Sequence, residues 1–505
     1  MLVDKYLPFR KDLNFIKKYC AAQNAATGSE VDANSNVSNK NIATMAPEIH
    51  KKSNIYANRL LMHDRLTELY GAEVADEYLR QLEDHEIYRH DESGMPIGTP
   101  YCASITLYPF LFDGMTKLGG TTTAPQHLSS FLGGFINLVF AVSAQLCGAV
   151  ATPEFLSYMD YFIRKEYGDQ YYLTPDKVVE TSARSRTIDE VITDGFAQVV
   201  YSLNQPAAAR GSQSVFWNVA YFDKYYFEQL FDEFVFPDGE PMQWESVSWL
   251  QKRFMKWFNK ERLRNLLTFP VESLSLLNDG KDFCDKEWAD FAAEMYAEGH
   301  SFFTYTSDSV DSLASCCRLR NGIQNNQFSY TLGAGGVATG SKCVMTMNLN
   351  RLVQTAIPEA PLSPGEYDLA FQKISEAVAV QVEKLHKYLL AFNSIVLDMR
   401  DQHMLSIYDA GFIAPEKQYL TVGINGLVEG AEYLGLDIST NDLYEAYVNA
   451  VMTPIFESNR AAKTETVMFN TEMVPKQTKS CGNLKPLLID LELPLGQQGA
   501  SVMVA

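Results

Sequence analysis

TLGAGGVATGSKCVMTMNL, residues 331–349, reads as a glycine-rich turn, Thr331–Ser341, feeding an apolar strand, Cys343–Leu349. Beyond it runs the longest helical pattern of the chain, from about Gly365 to Ile395. Ala370, Ile374, Ala377, Val378, Val382, Leu385, Leu389 and Leu390 form its apolar stripe. A strand followed by a helix is the unit of an α/β architecture, and the same alternation extends in both directions. Pro47–Ile87 is helical, with Gly71 marking a break between two helices. Glu245–Leu267 and Lys286–Glu298 are further helices. Ala103–Tyr108, Ser214–Val219, Leu267–Val271 and Tyr419–Ile424 are short strands bounded by Gly, Pro, Asn or Asp. The chain contains no internal repeat.

The 505 residues include 62 Asp and Glu against 42 Lys and Arg, a net charge of −20, and 46% are hydrophobic. That hydrophobic share excludes a largely disordered chain. The acidic balance argues against an electrostatic grip on nucleic-acid backbones, which requires clustered cations. Nucleotides remain admissible, because backbone N–H groups and helix N-termini hold phosphates without net positive charge. The eight cysteines contain no C-x-x-C pair, so neither a disulfide scaffold nor a zinc ribbon is expected. The N-terminus lacks the apolar core of a signal peptide, and a reducing cytoplasm is the expected setting. Gly119–Pro153 carries no Asp, Glu, Lys or Arg, and Phe131–Ala151 is long enough to span a bilayer. Asn137, Ser143 and Gln145 interrupt it and no basic cluster flanks it, so a buried helix is the expected form and no membrane partner is implied.

Three features carry possible chemistry. Ser315-Cys316-Cys317-Arg318 holds adjacent cysteines whose side chains point apart, so that one is buried and the other presented, or both are small core residues. The turn Thr331–Ser341 permits close approach of backbone to a ligand or makes a tight connection. It is not a phosphate-binding Walker loop, since Gly340-Ser341-Lys342 has the wrong order. Asn204–Asn218 carries Arg210, which would meet a carboxylate or phosphate, or make a surface ion pair. The eight histidines are dispersed, and no metal site is expected.

Ordered segments then resemble the anaerobic (class III) ribonucleoside-triphosphate reductases, enzymes of the glycyl-radical type. They are Asp32–Val37 through Thr44, Ile87-Tyr88-Arg89-His90-Asp91 followed by Pro100-Tyr101-Cys102, and Gly119-Gly120-Thr121 with its uncharged helix. Leu203–Asn218, Leu267–Asp279, Cys316–Arg318, Asn348-Leu349-Asn350-Arg351 and Phe469–Pro475 follow in the same order. The resemblance spans Asp32 to Pro475, and 1–31 is too short for the family's N-terminal ATP-cone domain.

The resemblance implies a ten-stranded α/β barrel over residues 32–475 with a finger loop threading its centre. At the loop tip Cys317 becomes the thiyl radical. Cys102 on the first barrel strand supplies hydrogen to the 2′ carbon. Asn470, Thr471 and Glu472 lie in the turn that receives substrate phosphates. Formate-dependent members carry an asparagine where the register here gives Ser341. Cys343, two residues on and hence on the same strand face, then either forms a dithiol with Cys102, re-reduced by a thioredoxin-like protein, or is a packing residue. The reductant is therefore formate or a dithiol. Further implications are ATP and dNTP effectors, a homodimer, and a radical-SAM activating enzyme with a 4Fe–4S cluster. The family's zinc site and glycyl-radical segment have no counterpart in the divergent tail 476–505, which has no aromatic residue. This implies a chain inactive without a separate glycyl-radical polypeptide. The alternative is a non-catalytic nucleotide-binding paralogue or relic.

Overall fold

The computed structural model describes residues 7, 10–21, 42–120, 122–180, 184–207, 214–265, 267–308, 312–315, 319–322 and 338–473. Its strands are β1 (Ile87–Arg89), β2 (Cys102–Ser104), β3 (Val150–Ala151), β4 (Val178–Glu180), β5 (Ser185–Thr187), β6 (Trp217–Phe222) and β7 (Val271–Leu277). They continue with β8 (Phe303–Ser307), β9 (Ser312–Ser315), β10 (Leu319–Gly322), β11 (Thr339–Asn348), β12 (Gln418–Asn425) and β13 (Met468–Met473).

Nine strands form one mixed sheet in the order β13-β12-β11-β2-β3-β6-β7-β8, with β1 also paired to β11. The strands β2, β3, β6, β7 and β8 run parallel to one another, as do β11, β12 and β13. The two sets meet antiparallel where Ser341 of β11 faces Cys102 of β2. The parallel connections are helical, as right-handed crossovers require. Two further pairs, β4–β5 and β9–β10, are antiparallel ribbons outside the sheet.

The β9–β10 ribbon reveals the curl. β9 lies beside β7, while β10 lies beside both β11 and β13. In a flat sheet β7 and β13 would stand six strand spacings apart, ~29 Å. A two-stranded ribbon reaches both only when the sheet curls around it into a half-barrel. This is the α/β barrel type expected from the sequence, and nine strands are joined in it among the described residues.

Helices cover the convex face. The 35-residue helix Tyr367–Asp401 packs across β11 and β12. The uncharged segment forms a helix only over Leu128–Ser143, with Phe131 stacked on Phe162 at 4.9 Å. Its remaining residues turn back to enter β3, and no described helix is long and apolar enough to cross a membrane. The expected break at Gly71 separates helices Ile42–Tyr70 and Ala72–Glu83.

Glu154, fully buried just after β3, accepts hydrogen bonds from the Leu107 backbone N–H (2.7 Å) and the Thr106 hydroxyl (3.1 Å), and its Oε1 has no hydrogen-bond partner among the described residues. Burial without a cation pushes its carboxyl up to about 7. The folded-state value thus lies above the ordinary 4.5, so this contribution to stability is complete below about pH 4.5 and is lost as pH rises through about 7. Glu154→Gln keeps the shape without the titration. It is expected to raise the thermal midpoint at pH 8, by an effect on the order of 2–3 kcal/mol, and to leave it nearly unchanged at pH 5.

Candidate functional site

The two sheet faces separate chemically. Ala103, Val150, Trp217, Leu420 and Val422 join the main hydrophobic cluster beneath the helices. Cys102, Ala149 and Ala151 make a separate small cluster with Tyr101 and Phe216 on the concave face. Alternation of side chains along each strand produces this division.

Cys102 is fully buried in β2 and stands directly opposite Ser341. Directly opposed side chains of antiparallel strands share a face, with Cβ atoms roughly 4.5–5.5 Å apart. Ser341 contacts the Thr421 hydroxyl of β12 at 2.8 Å, and Thr421 donates to Asn470 Oδ1 of β13, also at 2.8 Å. One polar row, Cys102–Ser341–Thr421–Asn470, therefore crosses four adjacent strands. At its end the Asn470 side-chain NH2 is buried and has no hydrogen-bond partner among the described residues. Below the row, the Gln418 amide donates to the Cys102 carbonyl at 3.0 Å and accepts from the Tyr408 hydroxyl, which locks β2, β11 and β12 together.

The structure corrects the pairing of Cys102 with Cys343. A β-bulge interrupts the β11–β12 register between Ser341 and Cys343, and a bulge upsets the two-residue alternation. Lys342 and Cys343 consequently both turn to the helix side. The Lys342 ammonium donates to Asn393 Oδ1 of the helix Tyr367–Asp401 at 2.6 Å, and burial pushes its pKa down to about 8. Cys343 joins the main hydrophobic cluster, and burial pushes its thiol up to about 12 despite the nearby Arg89 guanidinium. Arg89 itself lies 4.5 Å over the Phe392 ring of the same helix. A thiol on the helix side cannot share a disulfide with Cys102 across the sheet without rebuilding β11.

The phosphate-turn residues also divide. Asn470 and, two residues on, Glu472 belong to the concave set, with Glu472 opposite Gly423 in register. Thr471 faces the helices instead. Its hydroxyl accepts from Asn459 Nδ2 at 2.9 Å, and Asn459 Oδ1 meets His386 Nε2 at 2.7 Å. The Thr471 hydroxyl thus lies on the face opposite the row, away from Asn470.

Cys316, Cys317 and Arg318 lie outside the described residues, as does Arg210. The strands on either side of that cysteine pair are described: β9 and β10 pair from Ser315–Leu319 outward, in the ribbon that crosses the concave face. Among the described residues, no group of three or more His, Cys, Asp or Glu side chains is arranged to hold a metal ion. Thr421 and Gln418 were not picked out from the sequence. The available signal was two isolated polar residues, Gln418 and Thr421, within Gln418–Asn425, an otherwise largely apolar and buried strand.

A family model described as anaerobic ribonucleoside-triphosphate reductase matches residues 48–482. Among solved structures, one described as an anaerobic ribonucleotide reductase is 25% identical. The match covers 93% of this chain and 72% of that one, with a TM-score of 0.74. The anaerobic ribonucleotide reductase of Thermotoga maritima with citrate in its active site is 28% identical, covering 86% and 74%, with a TM-score of 0.71. The same enzyme in complex with dATP and CTP is 28% identical, covering 86% and 68%, again at 0.71. No curated protein sequence is detectably similar to the chain.

Proposed function

The chain belongs to the anaerobic ribonucleoside-triphosphate reductase family, and on that premise we propose that it reduces ribonucleoside triphosphates to deoxyribonucleoside triphosphates by thiyl-radical chemistry. The supporting observation is the concave polar row, which puts a buried thiol, Cys102, in line with a buried, unused amide donor on Asn470. The ribbon whose two strands are joined by Cys316-Cys317-Arg318 crosses the same face.

In this reading Cys317, as a thiyl, takes the ribose 3′ hydrogen and leaves a carbon radical at C3′. The adjacent 2′ hydroxyl takes up a proton and departs as water. Cys102 gives a hydrogen atom to the 2′ carbon, which leaves C3′ as a ketone and Cys102 as a thiyl. Formate or a dithiol then supplies two electrons: one, with a proton, restores the Cys102 thiol, and the other, with a proton, returns the C3′ ketone to a C3′ radical. Cys317 gives its hydrogen back to that radical and is again a thiyl. A thiol suits both positions because its S–H bond is weak enough for reversible hydrogen-atom transfer. A glycyl radical, where the family stores its oxidising equivalent, would supply the one-electron oxidation of Cys317, here from the separate glycyl-radical polypeptide that the resemblance implies. The Asn470 amide and backbone N–H groups nearby hold substrate phosphates. A radical-SAM activating enzyme is the expected partner. The exposed, uncharged side of the helix Leu128–Ser143, with Ser129, Ser130 and Asn137, is the surface for a second copy. The setting is the cytoplasm.

CTP and dATP, both bound by the Thermotoga maritima relative, are the substrate and effector to use. A preparation in which electron paramagnetic resonance shows the organic radical is expected to convert CTP to dCTP, and Cys317→Ala to form none. Absence of dCTP from the radical-bearing wild type, with CTP still bound, would mean a non-catalytic nucleotide-binding protein.

A further inference from the structure

Three short contacts run from the Cys343 carbonyl through Ser341 and Thr421 to Asn470, and the two hydroxyls that make them have only two hydrogens to share. Ser341 and Thr421 each carry one hydroxyl hydrogen. The Ser341 hydroxyl lies 3.1 Å from the Cys343 carbonyl and 2.8 Å from Thr421, and the Thr421 hydroxyl lies 2.8 Å from the Asn470 amide. Two arrangements are consistent with those distances. In the first, Ser341 donates to Thr421 and Thr421 donates to Asn470 Oδ1, which leaves the Asn470 NH2 bare. In the second, the amide is turned over. Asn470 then donates to Thr421, Thr421 to Ser341 and Ser341 to the Cys343 carbonyl, which leaves the amide oxygen bare. In both, one end of a buried amide has no partner among the described residues. An unmade buried hydrogen bond is costly, so a ligand group at that end both fills it and fixes the direction of the whole row.

We propose that Thr421 and Ser341 are positioning residues that hold the Asn470 amide in the first arrangement, with its NH2 directed at a phosphate oxygen of the bound nucleoside triphosphate. This rests on the reading of the concave face as a nucleotide-reducing site. The row is anchored at its far end beside Cys102 through the Cys102–Ser341 pair. Phosphate position and reducing thiol are thereby referred to one rigid set of strands. Neither hydroxyl touches the substrate in this arrangement. Their effect passes through Asn470.

The test is equilibrium binding of CTP to the full chain with saturating dATP present, followed by displacement of CTP with inorganic triphosphate. Thr421→Val keeps the shape and removes the hydroxyl. It is expected to weaken CTP and inorganic triphosphate alike, by about ten-fold, whereas Thr421→Ser binds within about three-fold of wild type. Asn470→Asp, which can only accept and is negatively charged, is expected to weaken both further. Wild-type affinity in Thr421→Val would overturn the proposal. So would a loss for CTP with none for triphosphate, because the contact would then lie on the sugar or base. Should Thr421→Val fail to fold, Ser341→Ala cuts the row one residue away, and its binding both ligands with wild-type affinity would overturn the proposal equally. Failure of the wild type to bind CTP at all would instead remove the functional reading on which the proposal rests.

Discussion

Cys102→Ser forms no detectable dCTP, with turnover falling by on the order of 10³ or more, the scale seen when a group that does bond-making chemistry is removed. The substitution exchanges sulfur for oxygen at a fully buried position whose backbone carbonyl is held by Gln418. The fold and the Cys102–Ser341 register are therefore expected to persist. The chemistry does not, because a serine O–H bond is far too strong to give up a hydrogen atom to the 2′ carbon. CTP affinity should stay near wild type, since the Ser341–Thr421–Asn470 contacts are made without the Cys102 side chain. Cys343→Ser is the matched comparison. That thiol sits among Tyr78, Arg89 and the helix side chains, with its pKa pushed up to about 12, and dithiol-dependent turnover is expected to survive its loss. A Cys343→Ser enzyme as dead as Cys102→Ser would refute the face assignment imposed by the bulge.

Gly340→Val is expected to destabilise the protein by about 3 kcal/mol or more and to weaken catalysis as well. A Cβ at Gly340 would run into the Cys102 carbonyl oxygen and stand 2.9 Å from the Ala103 Cα. Those atoms are backbone and cannot rotate away, so β2 and β11 would have to separate at the one antiparallel junction between the two parallel sets. Gly94→Ala is the control: a Cβ there meets nothing within 4 Å, and stability should remain within about 0.5 kcal/mol. Thermal unfolding of the three proteins in parallel gives the comparison. A Gly340→Val protein as stable as Gly94→Ala would mean that the close approach of β2 to β11 is not a constraint.

The larger elements were legible because their patterns are strong. The apolar stripe from Ala370 to Leu390 became the helix Tyr367–Asp401, and Tyr419–Ile424 lies within β12. Leu267–Val271 was placed too early. Pro270 ends the run of residues that could pair, and β7 starts after it at Val271. Glu272 disguised that strand as surface, although its carboxylate is buried and accepts from the Tyr221 hydroxyl. The strand β8, FTYTS, is rich in hydroxyls and is not among the expected strands, and two-residue β3 merged with the apolar helix before it. At the site, the ordered resemblance singled out Cys102 and Asn470, and the structure sets both on the concave face. Cys343 was misplaced because face assignments assume strict alternation, and Thr471 lies on the face opposite Asn470; neither a bulge at Lys342 nor an outward bond to Asn459 leaves a mark in composition.

The most direct measurement uses CTP tritiated at the 3′ carbon, incubated with dATP, reductant and the chain in a preparation whose organic radical is confirmed by electron paramagnetic resonance. The expected result is dCTP formation accompanied by some tritium release to water, both abolished in Cys317→Ala while the radical signal and CTP binding remain. Deoxynucleotide formation undiminished in Cys317→Ala, or a radical-bearing wild type that binds CTP yet neither releases tritium nor forms dCTP, would contradict it.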